Sequence, residues 1–399
     1  MPWAGTRRRL LAGTAAVVTG FAGCGEANTP EQTDYEPVTP VEVPENDDDD
    51  GVVEGPPVTE PVLSTEYDLY DVFDATVAGD GDDHADDPPE VGRFDVAIDE
   101  PKFVDFISPD EAEAFLDPND VVFGLEIDGE VKAYPQRILV WHEIVNDELA
   151  GANVSVTYCP LTGSALAFER GETSFGLSGQ LANSNLILYD RGTETWWPQL
   201  LGAAIVGLHE GDGLVERRLT WTTWGRWRLT HPNTRVLSRD TGYDRDYGSD
   251  PYGSYNPLEG YYSGGPPART VMHEDDRFHP KTVMVATRGG GVPAAVRKKT
   301  LREEKLVTVE AGGTVYTMAY DESLDTAYAY ENPERVEFEH DEGAFLAPEP
   351  DENDTGYPRS ADELPLEPVN AFDVMWFAWV GFYPETAVVP DSETWNPPA

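Results

Sequence analysis

The chain of 399 residues carries 75 acidic and 27 basic residues, which gives a formal net charge of −48 and an isoelectric point near 4.2. Such a charge repels nucleic acid and anionic lipid surfaces, so both are excluded as direct partners. After the N-terminal segment, no run approaches the roughly 20 apolar residues that a membrane-spanning helix needs. The chain is long enough for one large domain or two intimate ones.

The basic residues are mostly arginine, since only six of them are lysine. Excess carboxylate with arginine preferred over lysine resembles the proteins of salt-loving archaea, whose acidic surfaces stay hydrated in concentrated salt. The same charges repel one another at low ionic strength, because the Debye length grows from about 3 Å at 1 M to about 30 Å at 0.01 M. We therefore expect the fold to lose stability when salt is removed.

The first 24 residues match an export signal. Paired arginines in Thr6-Arg-Arg-Arg-Leu-Leu11 precede a short apolar stretch, as in twin-arginine signals. The following Phe21-Ala-Gly-Cys24 resembles a lipobox, in which the cysteine is acylated and becomes the new N-terminus. We predict a lipid anchor at Cys24 and a protein tethered to the outer face of the cell membrane. An ordinary cleaved signal is the alternative.

Residues 25–90 are predicted to be an acidic disordered tether. They are rich in Pro, Glu, Asp and Thr, with four consecutive aspartates at Asp47–Asp50. Such a segment buries too little apolar surface to offset the entropy of ordering. The folded domain is therefore expected over residues 91–390.

Turn signals and β-branched runs dominate this domain. Two strand-like runs, 121–127 and 130–134, flank Asp128-Gly129, which predicts a hairpin. A helix is predicted over 137–145, followed by strands over 154–158 and 165–169. Residues 372–382 are apolar on every side and are expected to be a buried helix. The predicted fold class is α+β and β-rich.

The pattern of residues 121–170 recurs over 282–332. Val122 to Ala133 aligns with Val283 to Ala294, and 164–169 with 326–331. We predict two internally repeated β units packed about a pseudo-twofold axis. The first has Tyr158-Cys-Pro160 where the second has Tyr320-Asp-Glu322, so only the first unit carries the thiol.

Cys159 is the candidate reactive residue. The chain has two cysteines, and the other, Cys24, belongs to the export signal, so Cys159 has no partner for an internal disulfide. Pro160 favours the first position of a helix, and a thiol at a helix N-terminus has a lowered pKa. The alternative is a buried structural cysteine.

Other polar residues are candidates for the same site. Thr162 is expected to hydrogen-bond the thiolate, His142 to act as general base or acid, and Arg191 to supply positive charge. The alternatives are a hydrogen-bonded histidine at a domain seam and an internal Asp–Arg ion pair. A polar-aromatic block is predicted to bind substrate: Tyr189, Asp190, Trp196 and Gln199. If one site is formed, Cys159, His142 and Arg191 should converge in one pocket.

Three blocks of the sequence resemble DUF3179, a family of unknown function, over about residues 110–390. The blocks are Ala133-Tyr-Pro-Gln-Arg-Ile-Leu-Val-Trp-His-Glu-Ile-Val-Asn-Asp147, Thr157-Tyr-Cys-Pro-Leu-Thr-Gly163, and Ser178-Gly179 through Tyr189-Asp-Arg191 to Gln199. Many members resemble one another in a Cys-Pro-Leu-Cys motif, and some are described as candidate selenoproteins, which implies redox chemistry at that position. Thr162 stands in place of the second cysteine, so a dithiol mechanism is not expected here.

The predicted function is that of a surface-tethered redox protein with a single reactive thiol. Oxidation of Cys159 to a sulfenic acid, or a mixed disulfide with an external thiol or redox partner, needs only one cysteine. One alternative is Cu(I) binding by Cys159 and His142 without turnover, with copper as the only candidate cofactor. The other is a glycan- or protein-binding module that uses Trp224 and Tyr252 and performs no chemistry. The sequence predicts no substrate.

Overall fold

The computed structural model describes residues 55–59, 97–105, 116–269, 271–347 and 358–389. These residues form a β-rich fold with few and short helices, as predicted. Within the described ranges, no helix has the length and apolar character needed to cross a bilayer. The predicted export signal, Cys24 and most of the predicted tether lie outside the described residues.

A first series of elements contains the predicted hairpin and Cys159. After β1 (Val58–Thr59) and β2 (Phe103–Asp105), it consists of β3 (Val121–Ile127), β4 (Glu130–Pro135), α1 (Gln136–His142), β5 (Ile144–Leu149), β6 (Ala152–Cys159), β7 (Ser164–Glu169), β8 (Phe175–Ala182), β9 (Asn185–Asp190), β10 (Trp196–Pro198), β11 (Gly213–Leu214), β12 (Glu216–Arg217), β13 (Leu219–Thr223), α2 (Trp224–Thr230) and β14 (Arg235–Leu237). Asp128 and Gly129 both have positive φ, which suits a two-residue hairpin turn between twisted strands. The predicted hairpin is confirmed.

The helix predicted over 137–145 is shorter than expected. Glu143 adopts a left-handed conformation and its N–H caps the helix at the Leu139 carbonyl. The chain can therefore enter β5 at Ile144, where two predicted helical residues lie in a strand instead.

A second series follows a connecting segment, residues 238–282. The connecting segment contains β15 (Gly253–Tyr255), β16 (Leu258–Gly260) and a 3₁₀ turn (Tyr261–Ser263). The second series consists of β17 (Val283–Thr287), a 3₁₀ turn (Gly289–Gly291), β18 (Ala294–Arg297), α3 (Lys298–Glu304), β19 (Leu306–Ala311), β20 (Thr314–Asp321), β21 (Thr326–Glu331), β22 (Glu339–Asp341), β23 (Ala344–Leu346), β24 (Glu367–Val369), β25 (Phe372–Met375), α4 (Trp376–Phe382) and β26 (Ala387–Val388).

Each series forms two main sheets, and their strand orders agree apart from the extra edge strand β2 of the first series. In the first series the orders are β13-β3-β4-β14-β2 and β12-β7-β6-β5, and in the second β25-β17-β18-β26 and β24-β21-β20-β19. Within these sheets the pairings are antiparallel, except that β4 with β14 and β18 with β26 are parallel. No doubly wound parallel sheet is present among the described strands.

The strand registers of the two series also agree. Equivalent pairs are Val121 with Thr223 and Val283 with Met375, Ala133 with Val236 and Ala295 with Val388, and Phe168 with Glu216 and Tyr330 with Pro368. By these registers Val121, and not Val122, takes the same place in its sheet as Val283 does in its own. A shift of one residue matters, because it exchanges the two faces of a strand.

The last helix of each series, α2 or α4, forms the same kind of hydrogen bond from a tryptophan to a threonine that follows the helix. Trp227 Nε1 donates to Thr234 Oγ1 at 2.8 Å, and Trp379 Nε1 donates to Thr386 Oγ1 at 2.8 Å. All seven residues of α4 are buried, which confirms the expected burial of residues 372–382. That run is a strand followed by a helix, rather than one helix.

The two series interlock through the turns after β6 and β20. The Thr162 carbonyl, in the first turn, accepts a hydrogen bond from the Met375 N–H at 3.0 Å. Leu324, in the second turn, belongs to the same buried apolar cluster as Trp224 and Trp227 of α2. Each turn therefore contacts elements of the other series, and the core around Cys159 includes α4.

One part of the predicted tether is ordered. Val58 and Thr59 pair with Leu214 and Gly213 of β11, and Pro56 is buried. The prediction of disorder is wrong for residues 55–59, because these residues find a strand edge to pair with and an apolar site for the proline.

Candidate functional site

Cys159 is the last residue of β6 and pairs with Ser164, the first residue of β7. The four residues between them form a turn that ends at Gly163, whose φ of 56° suits a glycine. The prediction that Pro160 begins a helix is therefore wrong. The chain reverses directly into β7, so no helix N-terminus acts on the thiol.

The Cys159 thiol is buried, with 1% exposure. Burial, and to a lesser extent the nearby charge of Glu143, raise its pKa to about 11. Hydrogen bonds from the Thr162 side chain and from the backbone of Leu186 and Thr162 act in the opposite direction. The sulfur lies 3.5 Å from the Ser184 carbonyl, to which the thiol donates. The resting group is a neutral thiol, whereas the sequence led us to expect a lowered pKa.

A fully buried network of hydroxyl and amide groups adjoins the thiol. Its members are Thr157, Thr162, Ser164, Asn185 and Gln199. Gln199 Oε1 accepts from Ser164 Oγ at 2.8 Å and from Asn185 Nδ2 at 2.9 Å, and Asn185 Nδ2 also donates to Thr162 Oγ1 at 3.1 Å. Gln199 therefore belongs to the surroundings of the thiol.

The Thr162 hydroxyl has two possible acceptors for a single hydrogen. Thr162 Oγ1 lies 2.8 Å from Ser164 Oγ, and Ser164 already donates its own hydrogen to Gln199. In the network as built, Thr162 is thus the donor to Ser164. Full support of a thiolate requires the same hydrogen to turn from Ser164 to the sulfur.

Glu143 is the residue that the sequence analysis missed. It lies within the predicted helix 137–145, but in the structure it is the left-handed residue that ends α1, and its carbonyl accepts from the Tyr158 N–H at 2.8 Å. Glu143 is half-buried, and desolvation raises its pKa to about 7. An acid with this pKa beside a thiol can accept the thiol proton. No sequence pattern marks the position, because a glutamate with positive φ is set by the tertiary fold.

Tyrosines of the connecting segment reach towards the end of β6. The Tyr158 hydroxyl lies 3.1 Å from the Tyr255 hydroxyl and 3.2 Å from the Tyr262 hydroxyl. The rings of Tyr255 and Tyr262 stack with their centres 3.9 Å apart. Asp250 Oδ2 accepts from Gln136 Nε2 at 2.7 Å and from Tyr262 at 3.1 Å. The connecting segment is thus bound to β6 by neutral side chains and one carboxylate.

The same segment contacts the turn that follows Cys159. The Tyr261 hydroxyl donates to the Leu161 carbonyl at 2.8 Å, and Lys281 Nζ lies 3.3 Å from the centre of the Tyr261 ring. Burial lowers the pKa of Lys281 to about 8. Any reagent that reaches the thiol from this side has to displace these residues.

His142 lies at the seam between α1 and the connecting segment. It is fully buried, its Nε2 is 2.6 Å from the Tyr247 hydroxyl, and its ring centre is 4.9 Å from that of Tyr243. Tyr247 in turn lies 2.5 Å from Thr241 Oγ1. These contacts match the alternative interpretation of a hydrogen-bonded histidine at a seam, and a catalytic role for His142 stays a prediction.

Arg191 does not converge with the thiol. It follows the last residue of β9, whereas Ser184, beside the sulfur, precedes the first. Six extended residues span about 20 Å, which exceeds the reach of an arginine side chain. Arg191 Nη1 lies 2.7 Å from both Asp99 Oδ1 and Ser174 Oγ. The expected convergence is wrong, and the ion pair that was the alternative is present, with Asp99 as the partner.

The predicted substrate-binding block is divided along β9 and β10. Tyr189, Asp190 and Trp196 lie near the Arg191 end, and Gln199 lies near the thiol. Asp190 is fully buried and accepts from the Thr193 N–H at 2.6 Å. Its carboxylate therefore organises a turn, and the block does not form one binding surface.

The proposed aromatic platform is also corrected. Trp224 and Trp227 are buried in the core, so neither offers a face to a glycan, although Tyr252 is half-buried. Among the residues that the structure describes, no group of three or more His, Cys, Asp or Glu side chains is arranged to hold a metal ion.

The family model of DUF3179, a protein family of unknown function, matches residues 97–386. The chain belongs to the DUF3179 family. The match spans both series and the connecting segment, and it confirms the resemblance seen in the three sequence blocks. No curated protein and no solved structure matches this DUF3179 protein.

Proposed function

We propose that this DUF3179 protein performs single-thiol redox chemistry at Cys159, with Glu143 as the proton acceptor. One observation carries the proposal: the Thr162 side chain and the backbone of Leu186 and Thr162 lower the pKa of one thiol near a carboxyl group whose pKa is about 7. A cysteine that only fills space needs neither donors nor an acid. The donors suit a thiolate, and the acid suits the proton that the thiol gives up.

The closed site holds the reaction back. The pKa values of the thiol and of Glu143 differ by about 4, so proton transfer costs about 5 kcal/mol while the site stays closed. Movement of the connecting segment would admit water and reduce the burial that raises the thiol pKa. We therefore expect slow chemistry in the resting state.

The proposed steps balance with a peroxide as oxidant. The thiol proton passes to Glu143, the thiolate attacks a peroxide oxygen, and the O–O bond breaks. Sulfur keeps one oxygen as a sulfenic acid, and the other leaves as water or an alcohol with the proton from Glu143. One external thiol then forms a mixed disulfide and releases water, and a second regenerates Cys159 as an external disulfide forms.

Peroxide treatment with dimedone trapping and mass spectrometry tests the proposal. We expect an adduct on Cys159 of the native protein, no adduct in Cys159→Ser, and trapping slowed about tenfold or more in Thr162→Val, because a hydrogen bond to a charged group is lost. Glu143→Gln should also slow trapping, whereas the exposed Glu148→Gln should not. A Cys159 that reacts only after denaturation would show that it is a core residue.

Copper titration separates the alternative use of the same thiol. If Cys159 and His142 bind Cu(I), the wild type takes up one equivalent, and both Cys159→Ser and His142→Gln lose it. Equal and weak uptake by all three proteins leaves the redox proposal in place.

We also propose that the two series are copies of one unit related by a pseudo-twofold axis. The equal strand registers, the matching Trp–Thr hydrogen bonds and the reciprocal turn contacts support this. An experimental structure tests it: residues 121–170 should superpose on 282–332 after a rotation close to a half turn. A different rotation contradicts the proposal.

The final part of the proposal is the location. We infer that the protein is exported folded, is anchored through an acylated Cys24, and works outside the cell in concentrated salt, as the resemblances of its sequence suggest. Cys24→Ser should move the protein from the membrane fraction to the medium. Retention of this variant in the membrane would contradict the anchor.

A further inference from the structure

A cavity of about 600 Å³ lies where the two series meet. The first series contributes side chains of β3, β13 and α2, and the second contributes the turn after β20 and part of β21. None of the lining residues belongs to the thiol site. The volume lies within the range of small-molecule sites, about 300–1,000 Å³.

The cavity exists because the first series has small or polar residues where the second has large apolar ones. By strand and helix register, the equivalents of Thr220, Thr230 and His231 are Phe372, Phe382 and Tyr383. The three aromatic residues are buried in the core of the second series. The second series therefore fills this position with aromatic side chains, and the first series leaves a polar cavity there.

Arg218 brings a positive charge to the cavity wall and lacks one acceptor. Its Nη2 donates to the Ala327 carbonyl at 3.0 Å, and its guanidinium lies 3.8 Å from the centre of the Tyr328 ring. Its Nε is buried without a hydrogen-bond partner. No carboxylate of the described residues forms an ion pair with Arg218. The guanidinium lines the cavity without a carboxylate in the described part of the chain to balance its charge, so an anionic group of a ligand fits beside it.

Four carboxylates line the same cavity: Asp321 accepts from Ser323, Glu322 pairs with Lys305, and the other two are Glu126 and Asp362. Glu126 and Asp362 line it, both are exposed, and neither forms an ion pair with a Lys or Arg among the described residues. Burial lowers the pKa of His231, so this neighbour does not neutralise them at neutral pH. A ligand that pairs with Arg218 needs a negative group, and one that also pairs with these carboxylates needs a positive group, so the fitting ligand carries both charges.

We propose that the cavity binds a small zwitterion of the amino-acid or short-peptide type. Its carboxylate pairs with Arg218 through the planar guanidinium, and its ammonium group faces Glu126 and Asp362. The Thr220 hydroxyl offers a hydrogen bond to the atoms between the two charges, and Ser323 Oγ, whose own hydrogen goes to Asp321, can accept one. This site is separate from the thiol site and does not depend on the proposed redox function.

Isothermal titration calorimetry of the full chain with triglycine, at one fixed high salt concentration, tests the proposal. We expect saturable binding of triglycine, and binding about tenfold weaker or more for N-acetyl-triglycine and for triglycine amide, each of which lacks one charge. Arg218→Gln should lose binding, while Arg217→Gln, whose exposed side chain pairs with Glu169, should keep it.

A pair of surface variants covers the case in which Arg218→Gln fails to fold. Thr230→Trp adds a large side chain to an exposed residue of the cavity wall, and Leu229→Trp adds the same side chain to the neighbouring residue, which is 82% exposed and outside the wall. Only Thr230→Trp should lose triglycine binding. Absence of binding by the wild type, equal affinity for the amide or the acetylated peptide, or retained binding in Thr230→Trp would overturn the proposal.

Discussion

Equivalent positions in the two series hold neutral hydrogen bonds in one and ion pairs in the other. In the first series, Gln136 begins α1 and donates towards Tyr158, which has tyrosines as its other partners. In the second series, Lys298 begins α3 and pairs with the buried Asp373. Tyr320, the equivalent of Tyr158, donates to Asp325, which also binds Arg302.

The residues that end α1 and α3 differ in the same sense. Lys305 has positive φ, as Glu143 has, and it pairs with Glu322 of the following turn. Glu143 forms no ion pair among the described residues, and its pKa is raised. At these positions the second series thus has ion pairs. The first leaves an acid next to a thiol and is covered by the connecting segment, which is the arrangement that chemistry at Cys159 needs.

The largest loss of stability is expected when the buried Lys298–Asp373 ion pair is broken. Lys298→Gln introduces the glutamine that the first series has at the matching position, Gln136. It leaves the Asp373 carboxylate buried without its partner. We expect a loss of about 3–5 kcal/mol of unfolding free energy, measured by denaturant titration in high salt. The double variant Lys298→Gln, Asp373→Asn should recover a large part of it. A loss below about 1 kcal/mol for the single variant would mean that this ion pair contributes little to the stability of the second series.

Glu143→Gln should stabilise the protein above neutral pH. The pKa of this carboxyl group is about 7 in the folded protein against an ordinary 4.5, so the folded state binds the proton more tightly. Its contribution to stability is fully present below about pH 4.5 and is lost as the pH rises through 7. We expect a gain of up to about 3 kcal/mol at pH 9 and none at pH 4, from unfolding curves at both pH values.

Lys305→Gln is the matched change at the equivalent position. Its partner Glu322 is exposed, so a loss of at most about 1 kcal/mol is expected, without the pH dependence of Glu143→Gln. If both variants change stability in the same direction at pH 9, the contrast between the two cap positions is wrong.

Removal of the two equivalent tyrosine hydroxyls should have unequal effects. Tyr320→Phe loses a hydrogen bond to a carboxylate, which costs about 1.5–3 kcal/mol, whereas Tyr158→Phe loses bonds to neutral groups, which cost about 0.5–1.5 kcal/mol. Denaturant unfolding of both variants measures the difference. A larger loss for Tyr158→Phe would show that the tyrosine contacts, and not the ion pairs, are the stronger closure.

The smallest loss of stability is expected from the two threonine substitutions that test whether the two series are packed in the same way. Thr234→Val and Thr386→Val each remove the acceptor of a 2.8 Å bond from a buried tryptophan. Because the geometry is the same, each should cost about 1 kcal/mol, and the two costs should agree. Thermal unfolding of the two variants compares them, and a difference beyond about 1 kcal/mol would count against equivalent packing.

The thiol site shows where local sequence rules stop. The hairpin at Asp128-Gly129 and the strands on either side of Cys159 were predictable, because turn residues and β-branched runs act locally. The position of Thr162 near the sulfur was also predicted, since only two residues separate it from Cys159. The pKa of the thiol was predicted in the wrong direction, because Pro160 starts a turn and not a helix.

The sequence by itself determined the high negative charge, the β-rich class, the family and the single cysteine of the matched region, because each of these depends on composition or on contiguous motifs. Only the tertiary structure decided the partners of that cysteine. Glu143 is itself the left-handed residue that ends α1, Leu186 comes from β9, Gln199 follows β10, and Arg191 is kept away by the length of β9. Such distances follow from strand pairing between distant segments, which the spacing of residues along the chain does not encode.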